Sequence, residues 1–160
     1  MSDDRQILLQ TRRKGDPNAP TISDIVLGEL KIVFLERPRV PLPGDFIEGA
    51  GHPCIPAGDY EVDWTENVHP EHPFCYQIIT GPGTPAPDRS AILQHSADVF
   101  DQLEGCQAPG LATYPWKKDG IRPGVPHRDM LGVVSSVAAL GMLQDKLCRK
   151  NYRLRIVEAS

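Results

Sequence analysis

The chain of 160 residues has the length of one domain and an ordinary apolar fraction of 40%, which argues against global disorder. At about 150 residues a domain buries roughly 70% of its unfolded surface, enough to form a real core. The net charge of −4 argues against a general nucleic-acid binder, because such proteins carry a basic stripe. We therefore expect a single globular domain over residues 1–160 that does not bind nucleic acid.

Short apolar runs separated by turn-forming residues dominate the first two thirds of the chain. The 16 prolines and 14 glycines lie mostly between these runs, which is typical of a loop-rich β protein. Gly28-Glu29 between two runs suits a type II′ hairpin turn. Residues 37–53 and 111–127 are predicted to be long loops. The predicted strands are Gln6–Arg12, Thr21–Leu27, Leu30–Glu36, Asp59–Glu66, Cys75–Thr80, Ala91–His95, Gly132–Val134 and Tyr152–Ile156.

Near the end of the chain the apolar period changes from two to about 3.6, which predicts one helix of about three turns. Ser135 or Ser136 would cap its start, and Asn151 would end it in a left-handed conformation. The sequence thus predicts a mainly β (α+β) protein, built as a curled antiparallel sheet or β sandwich with one C-terminal helix. The residues with helical spacing are Val137, Leu140, Leu143 or Gln144, and Leu147.

The N-terminus and the longest apolar stretch bear on where the protein works. The start, MSDDRQILLQ, has no long apolar core, so we expect no signal peptide and synthesis in the cytoplasm. The stretch from Leu131 to Leu143 is short and interrupted by glycine and serine, so we expect no membrane insertion.

The stretch of residues 92–110 holds a histidine at a strand end and a cysteine beside glycine. A cysteine nucleophile needs a base such as His95 to form its thiolate at Cys106, and Gly105 would let backbone N–H groups approach an oxyanion. An equally simple interpretation is a histidine satisfied by the backbone and a small, inert, buried cysteine. Further residues that would orient the imidazole or hold a substrate carboxylate are Asp98, Asp101, Glu104, Arg89 and Arg122.

A second group of histidines and cysteines has the residue types of a zinc site. His69, His72 and Cys75 follow one another at three-residue spacing, and zinc prefers imidazole and thiolate ligands. Prolines at 70 and 73 explain the segment equally well as a turn, so we predict no metal and no cofactor and keep these three residues as the alternative. The four cysteines would stay reduced in the cytosol, whereas a bridge could form in a particle outside the cell.

Four motifs of the chain occur together in a characteristic order. They are Cys54-Ile55-Pro56-Ala57-Gly58-Asp59-Tyr60, Ile92-Leu93-Gln94-His95, Glu104-Gly105-Cys106 with Gly110, and Val134-Ser135 at the entry to the last helix. This combination resembles a small domain found in phage and bacterial genomes and catalogued only as a domain of unknown function. That domain is loosely similar to the catalytic domain of L,D-transpeptidases, a β sandwich with an upstream histidine and a Ser-His-Gly-Cys-x-Arg nucleophile loop.

The resemblance implies a cysteine peptidase or transpeptidase-like enzyme that carries out acyl transfer or hydrolysis on peptidoglycan peptides. Cys106 would attack an amide carbonyl, and the backbone around Gly105 would hold the oxyanion. Leu103 and Glu104 replace the Ser-His pair, and Ala108 stands where the arginine would be, so His95 would have to serve as the base.

The alternative function is that of a non-catalytic structural or accessory protein of a virus particle, which the replaced base favours. Its partners would then be other virion proteins rather than peptidoglycan, and its Pro/Gly-rich loops would be the contact surfaces. The sequence indicates no oligomeric state for either function.

Overall fold

The computed structural model describes residues 5–39, 54–82, 92–98, 103, 106–118 and 128–160. Within these residues the chain forms ten strands and one helix near the C-terminus. They are β1 (Ile7–Arg12), β2 (Thr21–Leu27), β3 (Leu30–Glu36), β4 (Gly58–Glu66), β5 (Phe74–Thr80), β6 (Ile92–Gln94), β7 (Ala108–Gly110), β8 (Ala112–Lys118), β9 (Arg128–Val134), α1 (Ser136–Lys146) and β10 (Tyr152–Glu158).

Eight of these strands form one sheet in the order β6-β5-β4-β10-β1-β2-β3-β7. Within that order only β1 and β10 run parallel, and the other neighbours are antiparallel. The β2–β3 hairpin turns at Gly28, whose φ of 62° is the left-handed conformation that glycine adopts without strain. β8 and β9 pair only with each other and form a separate two-stranded ribbon.

The large sheet curls until its two edge strands approach each other. Gln94 at the end of β6 and Gln107, directly before β7, form a parallel bridge. Gln107 N–H donates to the Leu93 carbonyl, and His95 N–H donates to the Gln107 carbonyl, each at 3.0 Å. The predicted curled, antiparallel-rich sheet with one C-terminal helix is therefore confirmed, and the sheet is nearly a barrel. The bridge pairs part of the two edges, whose backbone groups could otherwise pair with another chain.

Side-chain alternation divides the core into two clusters. Ile32 and Phe34 of β3 belong to the main core, which fills the inside of the curled sheet and packs against α1. Val33 and Leu35, on the opposite face of β3, belong to an outer cluster. This outer cluster lies over the strands that meet at the junction of β6 and β7. Its members are Ile22, Val33, Leu35, Cys75, Leu93, Ala97, Leu103, Cys106, Ala108 and Val133.

The inside of the sheet also contains a charged pair. The Arg12 and Glu36 side chains are only 2% and 0% exposed. The Arg12 guanidinium donates to both carboxylate oxygens of Glu36 from Nη2 at 3.0 Å and to Oε1 from Nε at 3.3 Å. A buried pair must be well bonded in this way, because each charge has lost its hydration.

One predicted loop is wrong in its first half, since β8 occupies Ala112–Lys118. Pro115 suggested a loop, because proline cannot donate a hydrogen bond within a sheet. In the two-stranded ribbon, however, Pro115 lies opposite Leu131. Both strands of such a ribbon are edge strands, and edge strands tolerate proline. The remainder of that predicted loop, residues 119–127, lies outside the described residues.

The details of the helix also differ from the prediction. α1 begins at Ser136 after Ser135, which has a left-handed φ of 55° and forms no side-chain cap. Leu143 and Leu147 are buried as predicted, but Val137 is 75% exposed because Ala139 takes its place in the buried stripe.

Asn151 does not end the helix in a left-handed conformation as predicted. The left-handed residues are Cys148 and Arg149, directly after the helix. The Asn151 side-chain oxygen instead accepts a hydrogen bond from the Trp64 N–H at 2.9 Å, and so it links the start of β10 to β4.

Candidate functional site

The parallel bridge that closes the sheet places the two candidate residues on adjoining segments of the chain. His95 directly follows β6, and Cys106 directly precedes Gln107. Gln94 and Gln107 point into the inside of the sheet, where Gln94 Nε2 donates to Gln107 Oε1 at 3.0 Å. Because successive side chains of an extended chain alternate, His95 and Cys106 take the opposite, outer face of the same bridge.

Cys106 lies in a mixed environment. Its side chain is part of the outer cluster and is 8% exposed. The sulfur accepts a hydrogen bond from the Leu93 N–H at 3.4 Å. A backbone N–H favours the thiolate, whereas the surrounding hydrocarbon favours the neutral thiol.

His95 is held in one tautomer by the chain next to it. Its Nδ1 lies 3.0 Å from the Ser96 carbonyl oxygen. A carbonyl can only accept, so Nδ1 carries the proton and Nε2 keeps its lone pair in the neutral ring. Burial lowers the pKa of His95, and His72 lowers it further against opposing effects of the Ser96 carbonyl and Glu71. The imidazole is therefore neutral at pH 7, and Nε2 is its unprotonated nitrogen.

The turn that contains His69 and His72 packs against this imidazole. The His72 ring stacks on His95 with centroids 4.2 Å apart and an angle of 13° between the planes. His69 Nε2 lies 3.0 Å from Gln77 Oε1, and Cys75 Sγ lies 3.5 Å from the Thr65 hydroxyl. Among the residues that the structure describes, no three His, Cys, Asp or Glu side chains are grouped as a metal site requires.

Ser136 is a residue of this site that the sequence did not reveal. Its hydroxyl donates to the Pro109 carbonyl at 2.6 Å and accepts from the Ala97 N–H at 3.0 Å. It thereby ties the segment after His95 to the strand after Cys106. At the first position of a helix, serine resembles an ordinary capping residue, so no local signal indicated this role.

Arg37 is a second residue that the sequence analysis did not connect with the site. It is 1% exposed, and its Nη1 donates to the Leu103 carbonyl at 3.3 Å. This contact anchors the chain three residues before Cys106 to the end of β3.

Most of the auxiliary residues predicted for the site lie outside the described part of the chain. Of those described, Asp98 accepts a hydrogen bond from the Val133 N–H through its backbone carbonyl at 2.9 Å. The predicted residues outside the described part are Gly105, Asp101, Glu104, Arg89 and Arg122.

The other cysteines provide a contrast with Cys106. All four are free. Burial raises the pKa of the Cys75 thiol, and burial together with Glu36 raises that of Cys54. Cys148 is exposed on the surface after α1. The raised pKa values of Cys54 and Cys75 favour their neutral thiols, so neither is an activated nucleophile.

Comparison of the chain with protein-family models, with curated proteins and with solved structures finds no match. Among the described residues, no helix combines the length and apolar character that crossing a bilayer requires.

Proposed function

We propose that this chain is a phage-type, cysteine-dependent enzyme that performs acyl transfer or hydrolysis on peptidoglycan peptides. The observation that carries the proposal is the parallel bridge, which sets His95 and Cys106 on the same face of two adjoining segments. Nucleophilic cysteine chemistry requires a neutral imidazole that can take the proton of a nearby thiol, and in the proposal His95 Nε2 is that base. The peptidoglycan substrate follows from the resemblance to L,D-transpeptidases.

The proposed reaction proceeds through an acyl-enzyme. His95 Nε2 takes the proton of Cys106 Sγ, and the sulfur attacks the carbonyl carbon of a substrate amide. The imidazolium then donates that proton to the leaving amine, the C–N bond breaks, and a thioester remains. The neutral imidazole next removes a proton from an incoming amine or water, which attacks the thioester and displaces the sulfur. The imidazolium finally returns its proton to the thiolate.

The backbone N–H groups near the nucleophile would stabilise the negative charge that develops on the carbonyl oxygen. Gly105 is the proposed source of one donor, because it adjoins Cys106 and has no side chain to block access. The Leu93 N–H already donates a hydrogen bond to the Cys106 sulfur, so in the proposal it stabilises the thiolate rather than the oxyanion.

Activity on peptidoglycan peptides tests the proposal directly. Cys106→Ala should abolish turnover, and His95→Gln should reduce it by roughly 10²- to 10⁴-fold, the usual contribution of a general base. Cys148→Ala is the matched control, because that thiol is exposed and lies outside the site. Turnover that survives Cys106→Ala rejects the sulfur as nucleophile.

Alkylation by iodoacetamide tests the thiol without any substrate. In a Cys148→Ala background at neutral pH, Cys106 should react faster than Cys75. Cys75 is the control because it is also buried, at 1% exposure, and its pKa is raised by burial. Equal, slow reaction of the two thiols contradicts an activated Cys106.

One observation favours the alternative function, a non-catalytic accessory protein of a virus particle. The Cys106 side chain is only 8% exposed and belongs to an apolar cluster with Leu103, Ala97 and Val133. A sulfur in that environment also serves as a small packing group. If this function holds, the protein should co-purify with virions, and Cys106→Ala should leave both its incorporation and the particles' function unchanged.

A further inference from the structure

A continuous row of buried hydrogen bonds crosses the inside of the sheet beneath the candidate site. The Tyr152 hydroxyl donates to Gln94 Oε1 at 2.7 Å, and Gln94 Nε2 donates to Gln107 Oε1 at 3.0 Å. Gln107 Nε2 donates to Gln10 Oε1 at 3.0 Å, and Gln10 Nε2 donates to Glu36 Oε1 at 2.8 Å. These five side chains come from five separate segments of the chain. We call this row the glutamine chain.

The direction of the glutamine chain is fixed at its Glu36 end. A carboxylate paired with Arg12 can only accept, so Gln10 must present its NH₂ group there and its oxygen toward Gln107. Gln107 must therefore donate to Gln10 through its NH₂ group and accept from Gln94 through its oxygen. Gln94 is oriented in the same way, and its oxygen accepts from the Tyr152 hydroxyl. The three glutamines are 0% exposed, so water does not compete for these groups and a reversed amide would leave buried atoms unpaired.

Gln107 is the member of this row that belongs to the site. Its backbone N–H and carbonyl form the two hydrogen bonds of the closing bridge, to Leu93 and His95. The Leu93 N–H in turn contacts the sulfur of Cys106. The side chain of Gln107 is therefore anchored inside the sheet, while its backbone holds both candidate residues outside it.

We propose that Gln107 is a positioning residue whose amide, oriented from Glu36 through Gln10, fixes the register of the segments that carry His95 and Cys106. For catalysis this inference rests on the proposed function; for geometry it stands on the closing bridge alone. Removing the Gln107 amide leaves both His95 and Cys106 in the chain but lets the distance between their side chains vary.

Hydrogen exchange in Gln107→Met tests the geometric part, because methionine keeps the length of the side chain and removes its polar atoms. The His95 amide, which donates to the Gln107 carbonyl, should exchange at least tenfold faster relative to the Arg153 amide, which donates to Gln6 at 2.9 Å. Gln144→Met is the matched control: Gln144 is also buried, but its amide donates to the Phe74 carbonyl, away from the glutamine chain. That control should leave the His95 amide unchanged.

The pH profile of Cys106 alkylation gives a readout that a merely structural role does not move. In Gln107→Met the midpoint should rise by about half a pH unit, because the Leu93 N–H that donates to the sulfur is no longer held in a fixed position. Gln144→Met should leave the midpoint where it is. Tyr152→Phe removes only the last hydroxyl of the row, and it should shift both readouts in the same direction by a smaller amount.

If Gln107→Met does not fold, Tyr152→Phe decides between the outcomes. An unchanged His95 exchange rate together with an unchanged alkylation profile, in whichever variant folds, overturns the positioning role. Failure of the proposed function looks different: Cys106 of the unmodified protein would be unreactive and Cys106→Ala would keep its turnover. The exchange result would still decide the geometric inference in that case.

Discussion

Replacing Glu36 with glutamine tests how strongly the fold depends on a charge that has no access to water. The Arg12 and Glu36 side chains are 2% and 0% exposed. Removing one partner of a buried pair leaves the other charge uncompensated, at a typical cost of about 3–5 kcal/mol. Glu158, half-exposed and 3.5 Å from the other side of the guanidinium, offsets part of that loss, so we expect a cost of about 3 kcal/mol.

Glutamine is the informative substitution because it removes the charge and keeps an acceptor. Gln10 Nε2 donates to the carboxylate at 2.8 Å and would retain an oxygen partner in Glu36→Gln. The effect then reports the loss of the buried countercharge of Arg12 rather than a broken glutamine chain. The double variant Arg12→Met/Glu36→Gln removes both charges and should recover part of the lost stability.

Urea unfolding followed by circular dichroism measures these differences, with the slope of the transition as a check that the unfolded state is unchanged. A cost of 3 kcal/mol corresponds to a fall in melting temperature of about 6–12 °C for a protein of this size. Asp24→Asn is the control, since Asp24 pairs with Arg13 at 2.7 Å on the neighbouring strands but the two side chains are 51% and 46% exposed. That exposed pair should contribute only about 0.2–1 kcal/mol. Equal costs for Glu36→Gln and Asp24→Asn would refute the argument from burial.

Three smaller predictions concern the junction and the helix. Ser136→Ala should destabilise the protein by about 1–3 kcal/mol in urea unfolding, because two buried backbone groups lose their partner; a change below about 0.5 kcal/mol would contradict this. Gly110→Ala should cost about 1–3 kcal/mol of stability, because the added methyl group overlaps Val133. Gly141→Ala has open space around it and should stabilise α1 by about 0.5–1 kcal/mol. Thermal melts that rank the two variants otherwise refute the packing argument. Because burial lowers the pKa of His95, the unfolded chain binds this proton more readily, so stability should fall as the pH drops below about 6.5. The slope should be shallower in His95→Gln over the same pH series, and an unchanged slope would assign the effect to another group.

Local sequence patterns predicted most of the large sheet, because alternation and turn residues are local signals. The hairpin of Thr21–Leu27 and Leu30–Glu36 has the bounds that the glycine turn and the apolar runs predicted. β8 was missed because its regularity comes from pairing with β9 across residues 119–127, which no short window shows. The second half of the α1 stripe, Leu143, Gln144 and Leu147, is buried as predicted, whereas in the first half packing buries Ser136 and Ala139 rather than Val137 and Leu140.

The candidate site was only partly predictable for the same physical reason. Residue types and glycine placement singled out His95 and Cys106, but the bridge that places them on adjoining segments is a single long-range pairing. The supporting residues gave no such signal. A glutamine inside a strand or a serine at a helix start has an ordinary local explanation, and only the closed sheet shows that Gln107 and Ser136 meet at one junction.

The enzyme and the virion accessory protein place opposite demands on the junction of β6 and β7. Solvent access to the Cys106 sulfur is therefore the property that distinguishes the two proposed functions. Both benefit from the rigid register that the glutamine chain and Ser136 supply, so stability measurements alone do not distinguish them. An enzyme needs Cys106 to meet a substrate carbonyl, whereas a packing residue is best left covered by the outer cluster. The hydrogen bond from the Leu93 N–H satisfies a buried backbone donor in both cases, but only in an enzyme does it also stabilise a charged sulfur. The pH at which Cys106 becomes reactive therefore carries more weight than any loss of stability on mutating it.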